Sequence, residues 1–298
     1  MFLLAMTWDR LCGCRGRTGC RRSIRPGNIL IVTVLATASA WGSPGATGHL
    51  KARLVSDTDS VQPGRPLWVG LRFEMPKHWH IYWSNPGDSG EPPRIRWRLP
   101  AGFQAGAVQW PAPERLGSGS VIDYGYRETV LLPVEIQTPS TLAAGGRMTL
   151  SAEVSWLVCK DVCEPGKADL TLSLPVRTAP GPGSAAHALF QEARSRLPQP
   201  MPPDWRVEAT SGQDGFVLTI HGAGEAKASF FPLEAGQIDN AAPQAATALP
   251  GGMRLALKKS EQLSRMPARL DGVLELGSGR SYALSAPVLS FPDPPAAP

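Results

Sequence analysis

Beyond residue 40 this chain has no long apolar run, no long helical periodicity and almost no net charge, and cysteine is scarce throughout. No later stretch approaches the roughly 20 apolar residues that a membrane helix needs. No G-x-S-x-G, H-E-x-x-H or phosphate-loop pattern occurs, which removes the serine-elbow, zinc-protease and nucleotide-hydrolysis signatures. Five cysteines are present, and three of them, Cys12, Cys14 and Cys20, precede an export-type leader's apolar core. Cys159 and Cys163 are the pair left downstream.

The leader has three parts. Arg10, Arg15, Arg17, Arg21, Arg22 and Arg25 form a basic region, Ile29–Ala38 an apolar run, and Ala38-Ser-Ala40 a small-residue exit. That order predicts a secretory signal cleaved after Ala40, with an uncleaved anchor as the alternative. The whole chain carries 30 Lys and Arg against 25 Asp and Glu. Removing the leader's six arginines and Asp9 leaves 24 of each. The sequence pI of about 9.1 therefore belongs to the leader. A near-neutral remainder gives no support for nucleic acid or an anionic membrane as partner. Export also places the cysteine pair where disulfides persist.

Proline and glycine are spread along the chain, which suits short strands joined by turns. Leu67–Phe73, Arg94–Leu99, Thr129–Ile136, Met148–Val158 and Leu170–Val176 read as strands. So do Trp205–Ala209, Gly215–His221, Ala228–Leu233, Gly252–Lys258, Gly272–Leu276 and Ser281–Leu289. Arg94-Ile-Arg-Trp-Arg-Leu99 alternates cleanly, the arginines to one face. Ala185–Leu197 is the helix candidate, with Leu189, Phe190, Ala193 and Leu197 at helical spacing. The expected class is all-β: two β-sandwich domains over 45–178 and 187–291, joined by a linker at 179–186 and the short helix. A single larger β-structure is the alternative, and 292–298 reads as a disordered tail. Trp68, Trp79, Trp83, Trp97, Trp110 and Trp156 crowd the first half and read mostly as core. His78-Trp-His-Ile-Tyr-Trp83 is denser in aromatics than a core strand needs, so part of it is a candidate surface. Asp88-Ser89, after Pro86-Gly87, reads as turn chemistry.

The strand ending at Val158 runs into Cys159, and Pro165-Gly166 closes a turn before the next strand, so the cysteines sit at the end of a hairpin. As a staple the bond would add little: the chain-entropy value for a loop of about five residues is about 2 kcal/mol. Three readings stay open from the residues themselves. The pair is a working dithiol, or a structural bond in a binding module that uses Trp79–Trp83, or part of a copper site with His78 and His80.

A resemblance adds weight to the first. His78–Gly90, Pro93–Pro100, Gln109–Glu114, Tyr124-Gly-Tyr126 and Trp156–Cys163 together resemble the N-terminal periplasmic region of the DsbD/ScsB thiol:disulfide interchange proteins, over roughly 48–178. Residues 185–290 resemble the second β-domain of the ScsB-like branch more loosely. The resemblance implies an immunoglobulin-like domain in the periplasm whose cysteines pass electrons without a cofactor or metal. By motif position Cys163 resembles the cysteine that attacks partner disulfides and Cys159 the resolving one. Asp123-Tyr-Gly-Tyr126 falls at the family's cap loop, with Tyr124 and Tyr126 as candidate shielding aromatics, and Tyr82 falls on the strand beside it. The implied partners are periplasmic thioredoxin-like proteins. The family's transmembrane and thioredoxin modules do not occur in this sequence, which implies a separate membrane electron transporter of the CcdA/DsbD kind, or a soluble thioredoxin-like donor.

Overall fold

The computed structural model describes residues 45–225 and 227–290. The leader expected over 1–40 and the tail expected over 292–298 lie outside these residues.

The described chain is almost entirely β. The first half holds β1 (Gly45–Thr47), β2 (Leu50–Ser56), β3 (Leu67–Glu74), β4 (His80–Gly87), β5 (Arg94–Arg98) and β6 (Gln104–Val108). It continues with β7 (Glu114–Ser118), β8 (Val121–Arg127), β9 (Thr129–Gln137), β10 (Arg147–Cys159) and β11 (Cys163–Pro175). After helix α1 (His187–Ser195) come β12 (Gln199–Pro200), β13 (Arg206–Ser211), β14 (Gly215–His221) and β15 (Ala228–Pro232). The last strands are β16 (Ala245–Leu249), β17 (Gly252–Lys258), β18 (Arg269–Leu276) and β19 (Ser281–Ser290).

These strands form three sheets. One runs β1-β2-β3-β9-β6, and a second runs β11-β10-β4-β8-β7 with β5 added beside β10. The third runs β15-β18-β19-β13-β14-β17-β16 with β12 beside β19. The first two face each other as a sandwich. Period-two alternation drives this, because each strand puts every second residue on the buried face. Leu54, Val69 and Phe73 from one sheet meet Trp83, Tyr126, Val154 and Trp156 from the other. Phe73 packs edge-on against Trp156, with ring centroids 5.8 Å apart. This is the sandwich of the immunoglobulin-like class expected from the sequence. A second core gathers Phe216, Leu218, Phe230, Leu255, Leu274 and Leu284 in the third sheet.

The proline-rich segment between the halves is tied down along its length. Arg177 N–H donates to Val61 O at 2.9 Å, and Ser184 N–H to Asp57 O at 2.9 Å. Asp57 then anchors α1, taking His187 Nδ1 at 2.6 Å and Arg194 Nη2 at 2.7 Å. Phe190 and Ala193 seat the helix on Val55 and Leu131. Gly70 makes room, since a Cβ there would lie 2.4 Å from Leu131 Cδ1 and 3.1 Å from Phe190 Cζ.

Phe231 of β15 belongs to the sandwich core rather than to the core of its own sheet. Its ring stands edge-on to Tyr124 at 5.2 Å and to Trp83 at 6.5 Å. Beside it, Asn85 Nδ2 donates to Pro232 O at 2.8 Å. Phe231→Ala should therefore cost about 3–5 kcal/mol, as for other buried phenylalanines. Urea unfolding followed by tryptophan fluorescence measures it. A cost below about 1 kcal/mol would show that the halves do not depend on this contact.

Candidate functional site

Strand β10 buries Leu150, Ala152, Val154, Trp156 and Val158, so its odd-numbered residues face outward. Cys159 continues that outward row. Strand β11 pairs with β10 residue for residue from Arg147↔Pro175 to Cys159↔Cys163. Lys160, Asp161 and Val162 are left as the turn. Directly opposed residues share a face, so the two sulfurs meet; they are disulfide-bonded, with Cα atoms 4.1 Å apart. The row continues across the sheet. His80 of β4 lies opposite Cys159, and Arg127 of β8 lies opposite His80.

The two sulfur-bearing residues differ in access. Cys159 is 2 % exposed, whereas Cys163 is exposed. Val162, at the tip of the turn beside it, is 71 % exposed.

Tyr82 follows His80 by two residues and so stands on the same outward row. Its hydroxyl donates to Cys159 Sγ at 2.9 Å and lies 3.6 Å from Cys163 Sγ. An outward tyrosine should be wet, yet Tyr82 is 1 % exposed. The segment after β4 folds back over it. Gly90, at φ +80°, rests on the ring, and a Cβ there would sit 2.1 Å from Tyr82 Cζ. Three attachments hold this strap. Ser89 donates its N–H and its hydroxyl to Asp123 Oδ1 at 2.9 and 3.0 Å. Ile122 N–H donates to Asp88 Oδ2 at 2.7 Å. Asn240 Nδ2 donates to Asp88 Oδ1 at 2.7 Å.

The electrostatics follow from this cover. Burial first, and the Asp123 carboxylate second, push the Tyr82 phenol above its ordinary value of 10.0, against an opposing hydrogen bond with Ser89. Tyr82 is therefore a neutral hydrogen-bond donor at working pH. Burial also raises Asp123, opposed by its two bonds from Ser89, and nearby Asp88 adds to the rise. His80 moves the other way: burial, then the Arg127 charge, lower it from 6.5. Its Nε2 is buried without a hydrogen-bond partner, and its ring meets Tyr82 edge-on at 5.3 Å.

Of the residues singled out from sequence, the structure brings Cys159, Cys163 and Tyr82 together, with Asp123 behind Tyr82. The cap-loop expectation for 123–126 is corrected. These residues lie inside β8, paired with β4 and β7, and strand alternation turns Tyr124 and Tyr126 into the core. Tyr124 donates to Asn240 Oδ1 at 2.8 Å and Tyr126 to Pro111 O at 2.7 Å. The segment that does cover the site is Asp88–Gly90, which sequence reading took as a plain turn. Asn240 was not foreseen here, and His80 was weighed beside the cysteines only as a metal ligand. Among the described residues, no group of three or more His, Cys, Asp and Glu is arranged to hold a metal ion.

The sequence of 51–175 matches the family model of the thiol:disulfide interchange protein DsbD, N-terminal. That match takes in both cysteines and Tyr82. The fold is also similar to the crystal structure of the N-terminal periplasmic domain of ScsB from Proteus mirabilis. That likeness has a TM-score of 0.63 at 16 % identity and covers 84 % of this chain and 99 % of that one. The likeness therefore extends past the matched segment 51–175 into the second half. No curated protein matches the chain. No helix among the described residues is long and apolar enough to cross a membrane.

The buried neutral imidazole of His80 makes the sandwich sensitive to acid. The unfolded chain binds a proton on this residue near its ordinary pKa of 6.5, and the folded chain binds it less readily. Its contribution is thus fully present above 6.5 and is lost as the pH falls through 6.5 toward the lower folded value. The urea midpoint of the wild type should fall more between about pH 7.5 and about pH 5 than that of His80→Gln. Equal falls would show that His80 takes up its proton as readily folded as unfolded.

Proposed function

We propose that this protein is a periplasmic thiol:disulfide exchange protein that takes electrons from a membrane or soluble donor and passes them to thioredoxin-like partners through Cys159 and Cys163. The observation that carries the reading is the asymmetry of the bonded pair. One sulfur belongs to an exposed residue at a hairpin tip, and the other is buried against a hydroxyl that can donate to it. The DsbD N-terminal match supports thiol:disulfide interchange as the chemistry, and the likeness to a periplasmic ScsB domain supports the location.

The chemistry runs through one mixed disulfide in each direction. To charge the pair, a donor thiolate attacks Cys163 Sγ. The Cys159–Cys163 bond breaks, and Cys159 leaves as a thiolate that accepts the Tyr82 O–H. A second donor thiol then attacks the donor sulfur of the mixed disulfide. The donor departs as a disulfide and Cys163 is freed, two electrons having been delivered. To discharge it, Cys163 thiolate attacks a partner disulfide, and one partner sulfur leaves and is protonated. Cys159 thiolate then attacks Cys163 Sγ, the bond to the partner breaks, and the partner leaves as a dithiol. Access decides the roles: attack requires an open line to the sulfur, which the exposed Cys163 has and the buried Cys159 lacks.

Two experiments test this. Cys159→Ala removes the resolving thiol and should accumulate mixed disulfides with periplasmic proteins through Cys163, while Cys163→Ala should accumulate none. Absence of such adducts under a reducing supply, together with a reduction potential well below about −300 mV, would instead mark the bond as structural and the protein as a binding module. Tyr82→Phe removes the donor that meets the leaving thiolate. A hydrogen bond to a charged group contributes about 1.5–3 kcal/mol, so reduction of the disulfide by dithiothreitol should slow roughly tenfold or more. An unchanged rate would remove Tyr82 from the mechanism.

A further inference from the structure

The strap over Tyr82 is held at two points by the second half of the chain. At its start, Asn85 donates to Pro232 O at 2.8 Å and uses its own Oδ1 to accept Gly87 N–H at 3.1 Å. At its crest, Asp88 takes Asn240 Nδ2 at 2.7 Å. Asn240 is 5 % exposed, and its two oxygens are also bonded. Its Oδ1 accepts from Tyr124 and its backbone oxygen from Arg115. The loop that presents it has a set shape. Asp239 Oδ1 caps the N–H groups of Ala241 and Ala242 at 3.0 and 3.1 Å, and Lys258 Nζ holds Asp239 Oδ2 at 2.8 Å.

We infer that Asn240 is a positioning residue for the redox pair: it fixes the Asp88–Gly90 strap, the strap presses Tyr82 into place, and Tyr82 presents its hydroxyl to Cys159. The second half of the chain, whose role nothing else assigns, thereby sets the reactivity of cysteines in the first. Three contacts link them: Asn240 to Asp88, Gly90 on the Tyr82 ring, and Tyr82 Oη to Cys159 Sγ at 2.9 Å. Cys163 is already exposed, so a loosened strap gives an attacking thiol no new access. What it takes away is the donor. The inference rests on the exchange reading above but is measured without a protein partner.

The experiment is a double-mutant cycle between Asn240 and Tyr82, with the rate of disulfide reduction by dithiothreitol as the readout. Asn240→Ala should slow reduction about fivefold, the factor that one ordinary hydrogen bond commands. In a Tyr82→Phe background it should slow reduction no further, because the group it positions is gone. Asn240→Asp keeps the volume and the acceptor for Tyr124 but sets two carboxylates together at Asp88. It should act in the same direction, and it carries the test if the alanine variant does not fold. Either variant reducing at the wild-type rate, or slowing reduction equally with and without the Tyr82 hydroxyl, would overturn the inference. Failure of the exchange reading shows elsewhere, as missing mixed disulfides in Cys159→Ala, and leaves these rates intact.

Discussion

The whole site depends on the pairing of β10 with β11 on one side and β4 on the other. That ladder is antiparallel and unbroken over the 13 residues of β10 against β11. Its inner residues are committed to the sandwich core, so its parity cannot slip: a one-residue shift would carry Trp156 and Val158 to water. With parity fixed, Cys159, Cys163, His80 and Tyr82 must share the outer face, and Cys159 must oppose both Cys163 and His80. The core thus positions a site that it does not contain.

The same constraint explains why the disulfide is a poor staple. The backbone ladder already holds the two residues opposite each other, so the covalent bond closes a loop that is closed without it. Its entropic contribution is at most about 2 kcal/mol for so short a loop. A buried long-range bond between the facing sheets would have stabilised far more. What the hairpin tip does supply is asymmetry. The last residue of β10 is still roofed by the sheet's neighbours, while the first residue of β11 emerges beside an exposed Val162.

Much of this was legible in the sequence, and what was not has a physical reason. Arg94–Leu99 alternates because one face is wet, and β5 runs over Arg94–Arg98. The apolar spacing of Ala185–Leu197 marked α1, which spans His187–Ser195. The alternating strand running into Cys159 marked the hairpin, but its turn was set too long: Pro165 and Gly166, read as closing it, lie inside β11 opposite Leu157 and Trp156. The tyrosines of 124–126 were misplaced because their motif position suggested a loop, while parity inside a strand sends both inward. The strap was read as turn chemistry, correctly as far as backbone goes, since Gly87 and Gly90 both have positive φ. Nothing local says where a turn will land, and that Gly90 lies on Tyr82 is a tertiary fact. Asn240 is further still from sequence reading: its partners Asp88 and Tyr124 stand 152 and 116 residues away.

That distance bears on how the chain divides its labour. The DsbD N-terminal match spans 51–175 and contains both cysteines and Tyr82, so the reacting groups sit in the first half. Yet Phe231 fills that half's core and Asn240 holds its strap. A buried tyrosine hydroxyl such as that of Tyr124 needs a partner, and the partner is supplied by Asn240. The first half on its own would leave that hydroxyl unpaired and a cavity at the Phe231 position. Both defects lie against Trp83, the residue after Tyr82 in β4. A half-chain carrying every reacting atom would then lack the rigidity that aims the Tyr82 hydroxyl at sulfur. In this fold the second β-unit supports the surroundings of the cysteine pair through packing and hydrogen bonding, though it holds none of the cysteines.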